Sequence, residues 1–305
     1  MEKKLFAKLK KVCNNCTEAS MKVYMRNIKR LHKLNNESEI PPISKEWLFK
    51  PALMKKFKEL PLKAKRPLSL AAVKFAKLVD TDPKEWYRQM MQANGEYMEK
   101  RGKNLKSENE KEKWPKDGYK AIRKAANELW KRVKHKIKND KPSLRNLYNY
   151  QAYIVLRLFS EVPFRNDFAT FSLKDVDNNN FIQVPKKGSI IFFTRNYKNS
   201  KQLGEKKITL SRGATTQLRK FLKYREQVVD NEFFLNTLKG TKMSKSTMGK
   251  MLTRTTEKLL HKKIGSRIIR VLAATASKRD IEKVAELSNK LLHSTKQTQQ
   301  YVRKD

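Results

Sequence analysis

The sequence predicts a mainly α-helical chain with a small antiparallel β-sheet: an all-α N-terminal domain followed by a larger α+β domain. Three observations carry that prediction. Apolar residues recur at three- and four-residue steps through most of the 305 residues. The period changes to short β-rich runs in one interval only, 181–211. An almost wholly polar stretch, residues 102–113 (GKNLKSENEKEK), separates two blocks of helical pattern. It reads as a linker or a solvated helix end, and we divide the chain near Glu112 into domains 1–112 and 113–305.

The first domain reads as four or five short helices. In 19–34, Met21, Tyr24, Met25, Ile28, Leu31 and Leu34 fall on one helical stripe with Lys and Arg between them. Residues 35–44 are polar, contain Pro41-Pro42 and read as a loop. A second helix spans 47–60, with Pro51 early. Pro61 and Pro67 bracket a turn, and 69–78 is an Ala/Val/Leu-rich helix with Ser69 as its cap. Asp82-Pro83 opens another helix, with Trp86, Tyr87, Met90, Met91 and Tyr97 on or near one face.

The second domain begins with a helix over 117–135 and a strongly apolar one over 144–159. Short β-rich runs follow at 181–185, 189–197 and 206–211, separated by turn residues, and predict a small meander. Helices return over 213–227, 244–260, 265–279 and 280–292.

Composition narrows the function classes. Lys and Arg number 71 against 30 Asp and Glu, a formal charge of +41. Residues 1–112 hold 27 basic and 14 acidic side chains, and 113–305 hold 44 and 16, so both domains are basic. A charge of this size strains the isolated fold, and a polyanionic partner is the economical explanation. At 38% apolar residues the chain can bury a core, which a disordered polybasic tail cannot. Apolar runs such as 190–193 and 271–274 are far too short to cross a membrane, and no apolar segment of a secretory signal follows the basic start. Nucleotide-binding glycine motifs are missing. Cys13 and Cys16 form a lone CxxC without a second ligand pair, and read as reduced thiols rather than a zinc or redox site. Asp80, Asp82, Glu108, Glu110 and Glu112 lie in charged, loop-like context and read as solvated. By charge alone, a nucleic-acid coat without chemistry fits as well as an enzyme.

Candidate chemistry lies in the second domain, in a fixed order. Arg165 follows a helix and a Pro in EVPFRND; Lys198 lies between two β-rich runs in RNYKNSK, with Lys186, Lys187 and Lys201 as rivals; Arg267 and Arg270 lie in GSRIIRVLAAT; His293 and Tyr301 close the chain in LLHSTKQTQQY. Phosphodiester cleavage needs a nucleophile, cations on the non-bridging oxygens and an acid for the leaving oxygen. A Tyr hydroxyl can form a phosphoester that conserves the bond energy. Two Arg can fork onto phosphoryl oxygens as charge spreads over them. A Lys among other cations can protonate the leaving oxygen. Arg270 is flanked by Ile-Ile and Val-Leu-Ala-Ala, so it reads as a cation on a buried helix that needs an anionic partner.

In order and local context these residues resemble the tyrosine recombinases, or phage integrases, with the nearest likeness to members carried by large DNA viruses, virophages and related mobile elements. The resemblance covers 113–301 and extends, more weakly, to the helical first domain, which is similar to the family's core-binding domain. It implies an N-terminal core-binding domain and a C-terminal catalytic domain closing as a clamp on double-stranded DNA. It implies Tyr301 as nucleophile, Arg165, Arg270, Lys198 and His293 as the rest of the site, and no metal or other cofactor. It further implies a homotetramer on two synapsed sites, and work wherever the element's DNA lies inside the host cell, in nucleus or viral factory. Two departures stand out. Arg267 occupies a position where the family often has His or Lys, and reads as an accessory phosphate clamp. No acid clearly matches the one usually found after the first Arg, though Asp167 stands nearby as a replacement that would orient an Arg or His. Two other readings stay open: a type IB topoisomerase-like relaxing activity, and a non-catalytic DNA-binding relative, which only Arg267 favours.

Overall fold

A computed structural model describes residues 2–13, 16–35, 40–176, 178–277, 281–291, 298 and 301–303. The chain forms two compact units, Met1–Lys103 and Asn104–Asp305.

The first unit contains α1 (Glu2–Val12), α2 (Glu18–Leu34), α3 (Pro51–Glu59), α4 (Leu62–Leu78) and α5 (Lys84–Gly102). Thr17 caps α2 by accepting from the Ser20 amide, and Pro51 takes the first position of α3, where its missing N–H costs nothing. α4 packs against α1, α2 and α5 and carries the centre of the core. Leu5, Leu9, Ile28, Leu31, Phe57, Phe75 and Trp86 are buried there. The two buried indoles keep their N–H groups satisfied: Trp47 donates to the Pro42 carbonyl and Trp86 to the Leu48 carbonyl, each at 3.2 Å.

The basic start forms α1, because Leu5 and Leu9 lie one turn apart and both are buried. Two expectations need correction here. No turn separates Pro61 from Pro67. α4 runs through Pro67, and Ser69 is a fully buried mid-helix residue donating to the Arg66 carbonyl, not a cap. On α5, Trp86 is buried but Tyr87 and Met91 are half exposed. Cys13 and Cys16 are free thiols, the first buried.

The second unit starts with α6 (Glu108–Lys113), α7 (Lys120–Asn139) and α8 (Leu144–Phe159), then a 3-10 helix (Asn166–Thr170). Strands β1 (Phe181–Gln183), β2 (Ile191–Thr194) and β3 (Lys206–Thr209) follow, with the one-turn helix α9 (Ser200–Leu203) between the last two. Helices α10 (Arg212–Glu226), α11 (Lys245–Leu260), α12 (Ser266–Ala276) and α13 (Ile281–Leu291) complete the unit. Ser143, Ser211 and Ser244 each cap the helix that follows by accepting a backbone N–H.

Every residue of α8 from Tyr150 to Phe159 is buried, Gln151 and Arg157 among them. α7 and α11 pack against it, as does α10. The sheet is the predicted meander, order β1-β2-β3 and antiparallel throughout, with Phe181 opposite Phe193 and Phe192 opposite Ile208. Phe192 points into a nest of rings with Phe164, Phe168, Phe171 and Phe234, while Phe181 and Phe193 stack at 4.5 Å on the other face. The second half of the polar stretch read as a linker or a solvated helix end forms α6, held by a capping box between Ser107 and Glu110. Among the described residues no helix is long and apolar enough to cross a membrane.

Candidate active site

Arg165 is fixed by its neighbours in sequence. It precedes the 3-10 helix with extended backbone, between Phe164 and Phe168, both fully buried, whose rings meet edge to face at 4.4 Å. The backbone on both sides of Arg165 is thus anchored in the ring nest, and its Nη1 is sealed from solvent. Asp167 is buried one turn on and forms an ion pair with Lys245, the first residue of α11.

α12 supplies the next two cations. Ile268, Ile269, Val271 and Leu272 bury one face of the helix, which leaves Arg267 and Arg270 one turn apart on the other. Arg270 Nε donates to the Ser266 carbonyl at 3.4 Å, and Nη1 donates to the Tyr301 hydroxyl, also at 3.4 Å. The guanidinium carbon lies 5.5 Å from the Tyr301 ring centre. Burial pushes the Arg270 pKa down, and the nearby charges of Arg165 and Arg267 push the same way, while Tyr301 and Asp167 oppose them. The charges of Arg165 and Arg267 thus reach Arg270, and Arg270 in turn meets the phenol. Arg267 is largely exposed and edges a basic hollow of about 580 Å³ that Asn166, Lys250, Arg254 and Lys263 also line.

Tyr301 is held by the end of the chain. Its amide donates to the Thr298 carbonyl at 2.9 Å. With Val302 it packs on a small apolar cluster of Ala273, Ala274, Leu287 and Leu291, separate from the main core. Two residues on, Arg303 is buried: its amide donates to Thr275 Oγ1 at 3.0 Å, and its side chain forks onto Glu110 of α6 through Nε and Nη2, each at 3.1 Å. Arg267 Nη2 reaches the same carboxylate at 3.3 Å. Glu110 is only 2% exposed, which overturns the expectation that it is solvated. Burial alone would raise its pKa, but the Arg303 fork and the Ser107 amide outweigh it and hold the carboxyl below its usual range.

Lys198 is exposed, in the connection between β2 and β3. That connection is no tight hairpin: α9 lies within it and Gly204 closes it at φ 64°. Its base is firmly held. Tyr197, whose neighbours include the Arg165 charge, donates to the Gly204 carbonyl at 2.8 Å. Arg195 pairs with Asp175 and Glu205, and buried Asn180 accepts from the amides of Arg195 and Asn196 at 2.9 and 2.8 Å. Of the predicted site residues, the structure joins Arg270 to Tyr301, has the Arg165 and Arg267 charges near Arg270, and leaves Lys198 beside Tyr197, whose neighbours include the Arg165 charge. His293 lies outside the described residues. Sequence reasoning did not pick out Glu110 or Arg303; the pattern Ser107-x-x-Glu110 was a legible signal for the first. Among the described residues no three His, Cys, Asp or Glu side chains gather as a metal-binding group.

No family model matches the chain, and no curated protein matches it. Among solved structures it is similar to a crystal structure of XerA recombinase, at 14% identity over 100% of this chain and 95% of that chain, with a TM-score of 0.44.

Proposed function

We propose that this protein cleaves and rejoins DNA strands through a 3′-phosphotyrosyl intermediate on Tyr301. The observation that carries the reading is the Tyr301 hydroxyl held 3.4 Å from the partly buried Arg270, with the Arg165 and Arg267 charges close by. The same guanidinium groups suit the non-bridging oxygens of a phosphodiester, whose charge grows in the transition state.

In the reaction, the Tyr301 oxygen attacks phosphorus and an O–P bond forms. The bond from phosphorus to the 5′-oxygen breaks, and that oxygen takes a proton from the Lys198 ammonium while the phenolic proton passes to solvent. A 5′-hydroxyl from a second strand then attacks phosphorus and gives its proton to the neutral Lys198 amine, the bond from phosphorus to the Tyr301 oxygen breaks, and the departing phenolate takes a proton from solvent. The covalent bond stores the energy of the broken one, so no nucleotide is consumed. We read the biological task as site-specific recombination that integrates or excises a mobile or viral element, by four copies on two paired sites inside the host cell.

Covalent trapping tests the chemistry. Wild type and Tyr301→Phe are incubated in EDTA with a nicked duplex carrying the element's terminal sequence, and adducts are read on a denaturing gel. An adduct from wild type alone is expected. Arg270→Ala should form it about 10²–10³ times more slowly, the usual loss for one donor to a developing oxyanion. Adduct from Tyr301→Phe would move the nucleophile elsewhere. No adduct from wild type that binds the site tightly would leave a DNA-binding protein without strand chemistry.

A further inference from the structure

We infer that Glu110 and Arg303 form a clasp that sets Tyr301 against Arg270, making Glu110 a positioning residue for the chemistry although it lies far from Tyr301 in sequence. This rests on the phosphotyrosyl reading above for its functional part, but not for its structural part.

The tail that bears Tyr301 sits on a small apolar seat that includes Ala273, Ala274, Leu287 and Leu291. Arg303 anchors it: it is 8% exposed and bonded through its amide to α12 and through its side chain to α6. The Glu110 carboxylate is fully engaged. Oε1 accepts from Arg303 Nη2 and Arg267 Nη2, and Oε2 accepts from Arg303 Nε and the Ser107 amide, the last at 3.0 Å. A bidentate, desolvated fork of this kind is rigid, and removing one partner leaves a buried charge uncompensated. One carboxylate therefore fixes both the tail that carries the nucleophile and one of the cations placed for the phosphate. Losing its charge while keeping its shape should free the tail and leave α7 and α8, which pack through the main apolar core, undisturbed.

Hydrogen exchange on the full chain, read by mass spectrometry, tests the clasp without DNA. Wild type is compared with Glu110→Gln, Arg303→Gln, the double variant and Ser107→Ala. The peptide containing Tyr301 and Arg303 should exchange at least about tenfold faster in Glu110→Gln, with α7 and α8 peptides unchanged. The double variant should match the single ones, because the two residues act as a unit. Ser107→Ala, which removes a cap but leaves the carboxylate, should behave as wild type. Equal tail exchange in wild type and Glu110→Gln overturns the clasp. So does a rise spread equally over α7 and α8, which would make Glu110 a general fold residue. In the trapping assay, Glu110→Gln should slow adduct formation about tenfold or more at saturating DNA; an unchanged rate overturns the positioning role even where the tail is freed. If wild type forms no adduct, the phosphotyrosyl reading fails, and the exchange result alone decides the clasp.

Discussion

Arg270 is a cation placed among cations. Burial lowers its pKa, and Arg165 and Arg267 lower it further, yet a guanidinium keeps its proton under these conditions. The cost therefore stays in the fold as destabilisation until an anion arrives. Arg270→Gln is accordingly expected to be at least as stable as wild type in low-salt buffer without multivalent anions. Inorganic phosphate should raise the wild-type melting temperature, with a stabilisation of about 2.7 kcal/mol at a hundredfold excess over its dissociation constant, and Arg270→Gln should lose most of that rise. Thermal scans with and without phosphate measure both; an equal rise in the two proteins would count against an anion site at Arg270. At this scale much was legible in the sequence. Arg270 between Ile-Ile and Val-Leu-Ala-Ala announces a buried helix with one charge on it, and Tyr301 stands out by its order after the cations. Glu110 was not legible in the same way, because it sits in a run of charges whose composition is that of a solvated segment.

Elements place these residues. The 3-10 helix that begins after Arg165 is short and would be weak in isolation, and its position is set by Phe168, fully buried against Phe159, Phe164, Phe171, Phe192 and Phe234. Phe168→Ala should cost about 3–5 kcal/mol in denaturant unfolding, the range for an aromatic removed from a core. If it costs under about 1 kcal/mol, the ring nest does not hold Arg165 in place. Helix α8 and the meander could be read directly, since a densely apolar helix and three β-rich runs leave few alternatives. Helix α4 could not. Pro67 removes the donor that would bond the Lys63 carbonyl, a change that costs about 3 kcal/mol in a helix interior, and local rules therefore end the helix there. The helix continues because Leu68, Ala71, Ala72, Phe75 and Ala76 all reach the core from the same run, a gain that local propensity does not contain. α6 was missed for the opposite reason: its sequence is polar and short, and its support is the capping box and the buried pairing of Glu110.

Over the whole molecule, +41 charges spread over two units set how it meets a polyanion. Binding to duplex DNA should weaken by about 10³–10⁵ between 50 and 200 mM salt if six to ten phosphates are engaged. Fluorescence anisotropy across a salt series measures the slope, and an affinity that barely moves over that range would argue against a phosphate-facing surface of this size. Such a slope reports the charge of both units, and it is separate from the chemistry at Tyr301, which concerns a few residues of the second.

The sequence by itself determined the helical class, the place of the three-stranded meander, the basic character of both halves and the order Arg165, Lys198, Arg267, Arg270, Tyr301. Each of these is written in composition or in the spacing of near neighbours, which a helix or strand converts directly into faces. Only the tertiary structure decided that Glu110 is buried, that Arg303 forks onto it, that α4 runs through Pro67 and that Lys198 stands in a connection containing α9. These depend on contacts between distant parts of the chain, such as the Glu110–Arg303 pair, 193 residues apart. A charged residue is solvated or buried according to whether a partner arrives by folding, and no local pattern records that arrival.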